Sequence, residues 1–256
     1  MRLAGLRSLA DLLRDVVDFC YPGRCAVCDD DCAGGAALCP PCLEQLTALE
    51  AAPACGRCGK PLGADGDPCP WCLGKGMPSY DRVVALGAFR EPIRHLVHRV
   101  KYHRRWPLAE FVAGRLLDRG RVRRVLAEAD CVVAVPLHRL RQMSRGYNQA
   151  DVLARALARA APRRLPVVYP AVRWRHTETQ THLHSRERRE ENLRDAFGLV
   201  RPAAVRGKRV VVVDDVLTTG ATLRSLARAL RPARPARLSA VVIAVADPTG
   251  RDFERI

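Results

Sequence analysis

Eight cysteines near the start of the chain follow one spacing twice. The pattern is C-x2-C-x10-C-P-x-C, found over residues 25–42 and again over residues 55–72. Each C-x2-C turn presents two thiolates from one bend, and a structural zinc site takes four such ligands in a tetrahedron. The repeat therefore predicts two structural Zn²⁺ sites with no open position for water. The candidate ligands are Cys25, Cys28, Cys39, Cys42, Cys55, Cys58, Cys69 and Cys72.

The spacing alone leaves the pairing of these cysteines open. Each zinc could be held within one repeat, or the two sites could interleave ligands from both repeats. Buried or redox cysteines are the alternative to metal, but four identical spacings disfavour it. Gly59 directly follows Cys58, where a zinc knuckle often needs a positive φ. Cys20, Cys32 and Cys131 fall outside the pattern and are given no role.

A second motif, VVVVDDVLTTGAT, covers residues 210–222. It places Asp214 and Asp215 at the carboxyl end of a buried strand, where ligands of open parallel sheets bind. Backbone N–H groups at the following helix start suit a phosphate, whereas the two carboxylates suit the vicinal hydroxyls of a ribose. The motif thus predicts a ribose 5-phosphate site, and the alternative is an acidic helix cap. The predicted phosphate-binding residues are Leu217, Thr218, Thr219, Gly220, Ala221 and Thr222.

Alternating apolar strands and amphipathic helices follow Pro78. Strands are predicted at 80–89, 129–137, 167–168, 209–213 and 238–246. Helices are predicted at 91–118 with a break near Pro107, at 149–160 and at 221–231. Because the strands are apolar at consecutive positions, this pattern predicts an α/β fold with a parallel sheet covered on both faces.

Two polar segments adjoin the predicted strand ends. Residues 134–150 bring arginines into a predicted loop before a helix, although a solvated basic helix start is the alternative. Residues 173–195 are long and polar without a helical period, which favours a functional loop over a charged surface helix.

These segments together resemble a known family. Residues 210–222 resemble the phosphoribosyl pyrophosphate (PRPP) signature of type I phosphoribosyltransferases, and residues 134–150 resemble their pyrophosphate loop. Residues 173–197 are similar to their mobile catalytic loop, through Thr177, Gln180, Leu183, Glu187, Arg188, Asn192 and Phe197. With the cysteine-rich head, the chain resembles the ComF (competence protein F, amidophosphoribosyltransferase-like) family from Cys25 to Val245.

The resemblance implies a type I phosphoribosyltransferase-like parallel sheet flanked by helices and preceded by a small double zinc ribbon. The implied division is an N-terminal amphipathic helix at 1–19, a double zinc ribbon at 20–78 and a phosphoribosyltransferase domain at 79–256. Asp214 and Asp215 would hold the ribose hydroxyls, and Mg²⁺ would bridge these hydroxyls and the pyrophosphate. The implied pyrophosphate-loop residues are Pro136, Arg139, Arg141 and Arg145, and the implied catalytic residues are Arg175, Gln180 and Arg188. Lys101 stands where the family keeps a lysine, but a lone lysine after a helix is more often solvated.

The implied activity is transfer of a phosphoribosyl group from PRPP to an unidentified acceptor with release of pyrophosphate, linked to DNA uptake or utilisation. The alternative is a non-catalytic factor of the competence machinery that senses PRPP or binds single-stranded DNA, with DNA-uptake proteins as further partners. The net charge is +16, of which residues 81–256 carry +19 and residues 1–80 carry −3. This charge supports an anionic partner of the second part, whereas an aromatic content of only 5% disfavours base stacking.

The N-terminus does not have the pattern of an export signal. Asp11, Arg14, Asp15 and Asp18 interrupt its apolar stretches, so an amphipathic helix is expected. No apolar run reaches the roughly 20 residues of a membrane-spanning helix. A cytoplasmic location with reduced cysteines is therefore expected.

Overall fold

The computed structural model describes residues 23–32, 35–62, 68–74, 76–102, 106–174 and 196–246. The strands are β1 (Gly23–Arg24), β2 (Asp31–Cys32), β3 (Arg82–Ala88), β4 (Cys131–Ala134), β5 (Val167–Val168), β6 (Ala171–Arg173), β7 (Phe197–Leu199), β8 (Arg209–Leu217) and β9 (Arg237–Val245). The α-helices are α1 (Pro40–Ala51), α2 (Pro70–Leu73), α3 (Ile93–Tyr102), α4 (Trp106–Asp118), α5 (Gly120–Glu128), α6 (Arg139–Arg145), α7 (Gln149–Ala160) and α8 (Ala221–Leu230). The amphipathic helix predicted at 1–19 lies outside the described residues.

A five-stranded parallel sheet in the order β3-β9-β8-β4-β5 forms the centre of the fold. The valines at 210–213 in β8 are all at most 2% exposed, and residues 240–244 in β9 are fully buried. Consecutive strand residues point to opposite faces, so both faces of the sheet are covered. Helices α5 and α7 pack on β8, and α3 packs on β9. The predicted parallel α/β sheet with flanking helices is confirmed.

The observed elements follow the prediction closely along most of the sheet domain. Helix α7 has the predicted bounds, and the predicted break separates α3 from α4, with Pro107 near the start of α4. A proline is tolerated there because its missing N–H has no intrahelical acceptor. Strand β8 runs past its predicted end to Leu217, and Asp214 pairs with Val242 inside the sheet. Helix α5 was not predicted.

A short antiparallel hairpin stands apart from the main sheet. Its strands β6 and β7 pair from Ala171 with Leu199 to Arg173 with Phe197, and both contact α8. The polar segment predicted as a loop at 173–195 begins in this hairpin, and its residues 175–195 lie outside the described part of the chain.

The cysteine-rich module (23–74) packs against the outer edge of β3, which is a terminal strand of the sheet. The Val83 N–H donates to the Arg57 carbonyl over 2.8 Å. Gly59 adopts the predicted positive φ, +72°, and a Cβ there would lie 3.0 Å from the Val83 carbonyl oxygen. Arg115 forms a hydrogen-bonded ion pair with the buried Glu50. The module thus covers a strand edge that would otherwise offer unpaired backbone groups.

Within the described residues, every helix is too short or too polar to cross a membrane.

Candidate functional site

The acidic pair lies at the carboxyl end of the sheet, within the last four residues of strand β8. Asp214 and Asp215 are each 9% exposed. Their side chains receive backbone hydrogen bonds from the next residues: Asp215 N–H donates to Asp214 Oδ1 over 2.9 Å, and Val216 N–H donates to Asp215 Oδ1 over 2.6 Å. The strand backbone therefore fixes both carboxylates in a nearly water-excluded position.

Asp215 has two further partners from separate elements. Gln149 Nε2, at the first residue of α7, donates to Asp215 Oδ2 over 3.0 Å. Lys101 Nζ, near the end of α3, lies 3.5 Å from the same oxygen. Burial alone raises the pKa of Asp215, but the Lys101 charge and the hydrogen bonds from Gln149 and Val216 outweigh it, so the net pKa is lowered. Asp215 is therefore the ionised member of the pair.

Asp214 has the opposite shift. Burial and the neighbouring Asp215 charge raise the pKa of Asp214 to about 8. The charges of Lys101 and Arg173 oppose that rise without cancelling it. At neutral pH the two carboxyl groups thus hold close to one negative charge, and a ligand that donates hydroxyls or brings a cation favours the second ionisation.

The predicted phosphate turn links β8 to α8. Gly220 has a φ of +77° and precedes the helix, and Thr219 Oγ1 accepts from the Ala221 N–H over 3.3 Å. Thr222 is in the first turn of α8, where backbone N–H groups have no intrahelical acceptor. Leu217 and Ala221 have buried side chains, so any part they play at a ligand falls to their backbone. The turn therefore offers hydroxyl and N–H donors beside the acidic pair.

The basic segment that was predicted as a loop is a helix, so that part of the prediction was wrong. Residues Arg139–Arg145 form α6, capped by His138 Nδ1, which accepts from the Leu140 N–H over 3.3 Å, and by Gly146 with a φ of +74°. A capping side chain at one end and a left-handed glycine at the other stabilise even a short helix. The half-buried Pro136 precedes α6, after the end of β4.

Two of the three predicted arginines of α6 interact electrostatically with groups around the acidic pair. The Arg145 guanidinium lies 5.1 Å from the Tyr102 ring centre, and its charge contributes to the lowered pKa of Asp215. Arg141 is partly buried beside Arg145, and both burial and that neighbouring charge lower its pKa. Arg139 is exposed. The geometry thus places Arg141 and Arg145 in the electrostatic field of the site.

Arg173, in β6, completes the cationic surroundings. Burial, then the charge of Arg141, lowers the pKa of Arg173 to about 10, while Asp214 opposes that shift. Its guanidinium lies 5.6 Å from the Phe197 ring centre. The hairpin therefore brings a positive charge into the surroundings of Asp214 from outside the main sheet.

The predicted catalytic residues Arg175, Gln180 and Arg188 lie outside the described residues. The described chain stops at Trp174, whose carbonyl oxygen is 3.1 Å from His138 Nε2. This contact places the beginning of the predicted catalytic loop beside the start of α6.

Three residues that contact or influence the acidic pair were not among the predicted site residues, although Lys101 was noted at a family position and expected to be solvated. Lys101 is 13% exposed in its side chain and ion-paired, not solvated as a lone lysine would be. Gln149 is 5% exposed, and the usable signal was a polar residue on the apolar face of a well-defined helix. Arg173 gave no signal that distinguished it from the other 38 arginines of the chain.

The cysteines of each repeat converge on one point. Cys25, Cys28, Cys39 and Cys42 form one cluster, Cys55, Cys58, Cys69 and Cys72 form the other, and the sulfur atoms within each cluster lie within 4.8 Å of one another. Each C-P-x-C segment starts a helix with its proline at the first helical position. Four convergent sulfur donors fit tetrahedral zinc, and the thiols are grouped within repeats and not interleaved.

Comparisons with known proteins agree with both parts of the chain. Residues 16–73 match the double zinc ribbon domain, and residues 143–256 match the phosphoribosyl transferase domain. Competence protein F of Haemophilus influenzae is 36% identical over 200 residues, which span 76% of this chain and 84% of that protein. DNA utilization protein YhgH of Salmonella typhi is 36% identical over 219 residues, which span 82% of this chain and 91% of that protein.

Among solved structures, the allosteric regulatory enzyme of purine biosynthesis is 22% identical to this chain, with a TM-score of 0.37, and the match covers 57% of this chain and 30% of that one. The family assignment rests instead on the relatives that match over most of their length. With a double zinc ribbon, a phosphoribosyl transferase domain and 36% identity to competence protein F, the chain belongs to the ComF family.

Proposed function

We propose that the protein binds PRPP at the acidic pair and the turn 217–222, and transfers its phosphoribosyl group to an acceptor. The carrying observation is the ionised, buried Asp215 held beside Asp214 at the end of the strand that leads directly into the turn. Carboxylates accept hydrogen bonds from ribose hydroxyls, and the N–H groups and hydroxyls of the turn suit the 5-phosphate. Both proposed subsites lie on one strand–turn–helix unit.

The cations around the site suit the remaining part of PRPP. Arg141 and Arg145 in α6 and Lys101 in α3 supply positive charge on the side of β4 and α7. A pyrophosphate carries several negative charges, and arginine is well suited to binding phosphate oxygens. We therefore assign α6, including the exposed Arg139, and the preceding Pro136 to the pyrophosphate.

The donor set also fits Mg²⁺. This ion is usually held by one or two carboxylates while substrate phosphates and waters complete its shell, and Asp214 and Asp215 offer such a pair. When bound, it would neutralise charge on the leaving pyrophosphate. A cation held at this position would favour the ionised form of Asp214, whose pKa is otherwise raised to about 8.

The chain's own residues would act by holding and orienting the reactant. The bond between C1 of the ribose and the pyrophosphate oxygen breaks, the bonding electrons leave with the pyrophosphate, and a lone pair on an acceptor nitrogen forms the new bond to C1. The negative Asp215 favours the positive charge that develops on the ribose, while Arg141 and Arg145 favour the charge on the leaving group. We also propose Arg175, Gln180 and Arg188, which lie outside the described residues, as catalytic residues.

The proposal is tested by pyrophosphate release. The purified protein is incubated with PRPP, Mg²⁺ and pools of nitrogen acceptors, and any product is identified by the mass of an added phosphoribosyl group. Release that depends on an acceptor and is lost in Asp215→Asn supports transfer. PRPP binding without release from any pool contradicts transfer and favours a PRPP sensor, and absence of PRPP binding contradicts the site itself.

A second candidate function is single-stranded DNA binding, linked to DNA uptake or utilisation. Two exposed aromatic side chains favour it, Trp174 at 60% exposure and Tyr102 at 53%, because both could stack on bases and Tyr102 lies beside Arg145. The DNA-related name of the YhgH relative agrees with it. DNA binding that depends steeply on salt and persists in an Asp214→Asn, Asp215→Asn double variant would support this function as independent of PRPP.

A further inference from the structure

The linker Gly76–Tyr80, which follows the second cysteine cluster, contacts the predicted phosphate turn through Met77. Met77 is 3% exposed, and a Cβ added to Gly220 would lie 2.6 Å from its Sδ atom. Arg224, one turn into α8, places Nη1 3.9 Å from the same sulfur and donates from Nη1 to the Thr219 carbonyl over 2.8 Å. Met77 and Arg224 therefore both contact the turn at Gly220, and Arg224 also binds the Thr219 carbonyl.

The same linker is attached at both ends. On the zinc side, the Gly76 N–H donates to the Trp71 carbonyl over 2.8 Å, and Trp71 packs on the second cluster between Cys69 and Cys72. On the sheet side, the Tyr80 N–H donates to the Met77 carbonyl over 3.0 Å, and the Tyr80 hydroxyl donates to the Leu223 carbonyl over 2.8 Å. Tyr80 is only 2% exposed. Three buried residues, Gly76, Met77 and Tyr80, thus lie between the second cluster and the start of α8, whereas Pro78 and Ser79 of the same linker are exposed.

The bond from Arg224 has a directional consequence for the turn. A trans peptide is planar, and its C=O and N–H point in opposite directions. Because Arg224 holds the Thr219 carbonyl on one side, the Gly220 N–H is turned to the other side. Met77 fills the space at Gly220, so the peptide cannot rotate into it without displacing a buried side chain.

We propose that Met77 and Arg224 are positioning residues for the 5-phosphate turn, and that the second cysteine cluster, when it holds zinc, fixes Met77. The inference rests on the proposed function, because it takes the turn to be a phosphate site. Neither side chain touches the phosphate: Arg224 aims the Gly220 N–H, and Met77 keeps that peptide in place. The zinc module then does more than cover a strand edge, since its metal content determines the geometry of the ligand site.

The test compares Arg224→Ala and Met77→Ala with the conservative Arg224→Lys and Met77→Leu. The matched control is Arg228→Ala, an exposed arginine one turn further along the same helix. Amide hydrogen exchange of residues 217–223 is measured without ligand, and affinities for PRPP and ribose 5-phosphate are measured by calorimetry. Melting temperatures identify any variant that has lost its overall fold.

We expect faster exchange of residues 217–223 in both alanine variants. We also expect a loss of affinity for both ligands on the order of tenfold, as for removal of one charge-assisted hydrogen bond. Arg224→Lys should recover most of the affinity, since an ammonium can still donate to the Thr219 carbonyl. Unchanged exchange and affinity in Arg224→Ala, or equal losses in Arg228→Ala, would overturn the proposal.

Substituting one cysteine in each cluster tests whether binding at the turn depends on zinc in the second cluster. Cys72→Ser in the second cluster should weaken ribose 5-phosphate binding, whereas Cys28→Ser in the first cluster should leave it within about twofold of wild type. Equal effects of the two variants would contradict the proposed link. The exchange measurement needs no ligand, so it tests whether Met77 and Arg224 hold the turn in place even if the wild type binds no PRPP. Failure of PRPP binding by the wild type would contradict the proposed function alone.

Discussion

Lys101 Nζ lies 3.5 Å from Asp215 Oδ2, and both side chains are 13% exposed. This pair joins the end of α3 to the end of β8, two elements that are more than 100 residues apart in the chain. The Lys101 ammonium compensates the negative charge of Asp215, whereas the adjacent Asp214 carboxyl has a pKa raised to about 8. The charge state of the site therefore depends in part on a residue outside the motif that identifies it.

Substituting Lys101 should weaken ligand binding. In Lys101→Met, Asp215 loses its cation and the pyrophosphate loses a positive neighbour, so we expect PRPP affinity to fall about tenfold or more. Calorimetry measures this loss. Lys208→Met, at the opposite end of β8, is the control and should bind like the wild type. An unchanged affinity in Lys101→Met would show that Lys101 compensates Asp215 without contributing to the ligand site.

The pKa of Asp214 predicts a pH dependence of stability. An unfolded carboxyl titrates near pH 4, so between about pH 4 and 8 the folded protein binds more protons at Asp214 than the unfolded chain. The contribution of Asp214 to the free energy of unfolding is greatest below pH 4. It falls between about pH 4 and 8, by up to about 1.4 kcal/mol per pH unit, and is fully lost once the pH has risen through about 8. Asp214→Asn cannot titrate and should show a flatter profile.

Thermal unfolding of wild type and Asp214→Asn at pH 5, 6, 7 and 8 measures this difference. The exposed Asp118→Asn serves as a control and should follow the wild-type profile. A stability difference between wild type and Asp214→Asn that is constant across this range would contradict the raised pKa.

A methyl group at Gly220 should abolish ligand binding. Gly220→Ala forces an L-residue into a left-handed φ and brings its Cβ within 2.6 Å of Met77 Sδ. Gly207→Ala is the matched control, because Gly207 has a φ of +65° but nothing within 4 Å of an added Cβ. Both variants should lose about 1 kcal/mol or more of unfolding free energy, and only Gly220→Ala should lose PRPP binding. Equal binding by the two would mean that the turn tolerates displacement of Met77.

Loss of the second cysteine cluster should expose the edge of β3. In Cys58→Ser, bound zinc should fall by one ion per chain, and the knuckle that carries the Arg57 carbonyl should release the Val83 N–H. Faster amide exchange over Arg82–Ala88 would report this release. Cys28→Ser should also lose one zinc, yet leave the exchange of β3 unchanged. Equal protection of β3 in both variants would contradict the edge-covering role.

Much of the fold was predictable because its signals are local. Runs such as VVVV at 210–213 specify buried strands, and the spacing of Val152, Leu153, Ala156 and Leu157 specifies one face of α7. The repeated cysteines identified both clusters, although spacing could not distinguish pairing within repeats from interleaved pairing. That choice depends on how α1 and α2 fold back toward their own C-x2-C turns.

The parts that were missed depend on contacts between distant elements. Whether Lys101 is solvated or buried depends on α3 ending beside β8, which no local pattern of the sequence specifies. The helical state of residues 139–145 is an exception, because its histidine cap and left-handed glycine are local features that directly flank the helix. The acidic pair itself was found from its motif, because strand, carboxylates and turn are contiguous in the chain.

Asp214 and Asp215 are proposed to form a ribose-phosphate site. Its most direct test is calorimetric titration of the zinc-loaded protein with PRPP and Mg²⁺, beside an Asp214→Asn, Asp215→Asn double variant that melts cooperatively. We predict saturable binding by the wild type and none by the variant. Absence of binding by the folded wild type, or equal binding by both proteins, would show that the acidic pair is not a ribose-phosphate site.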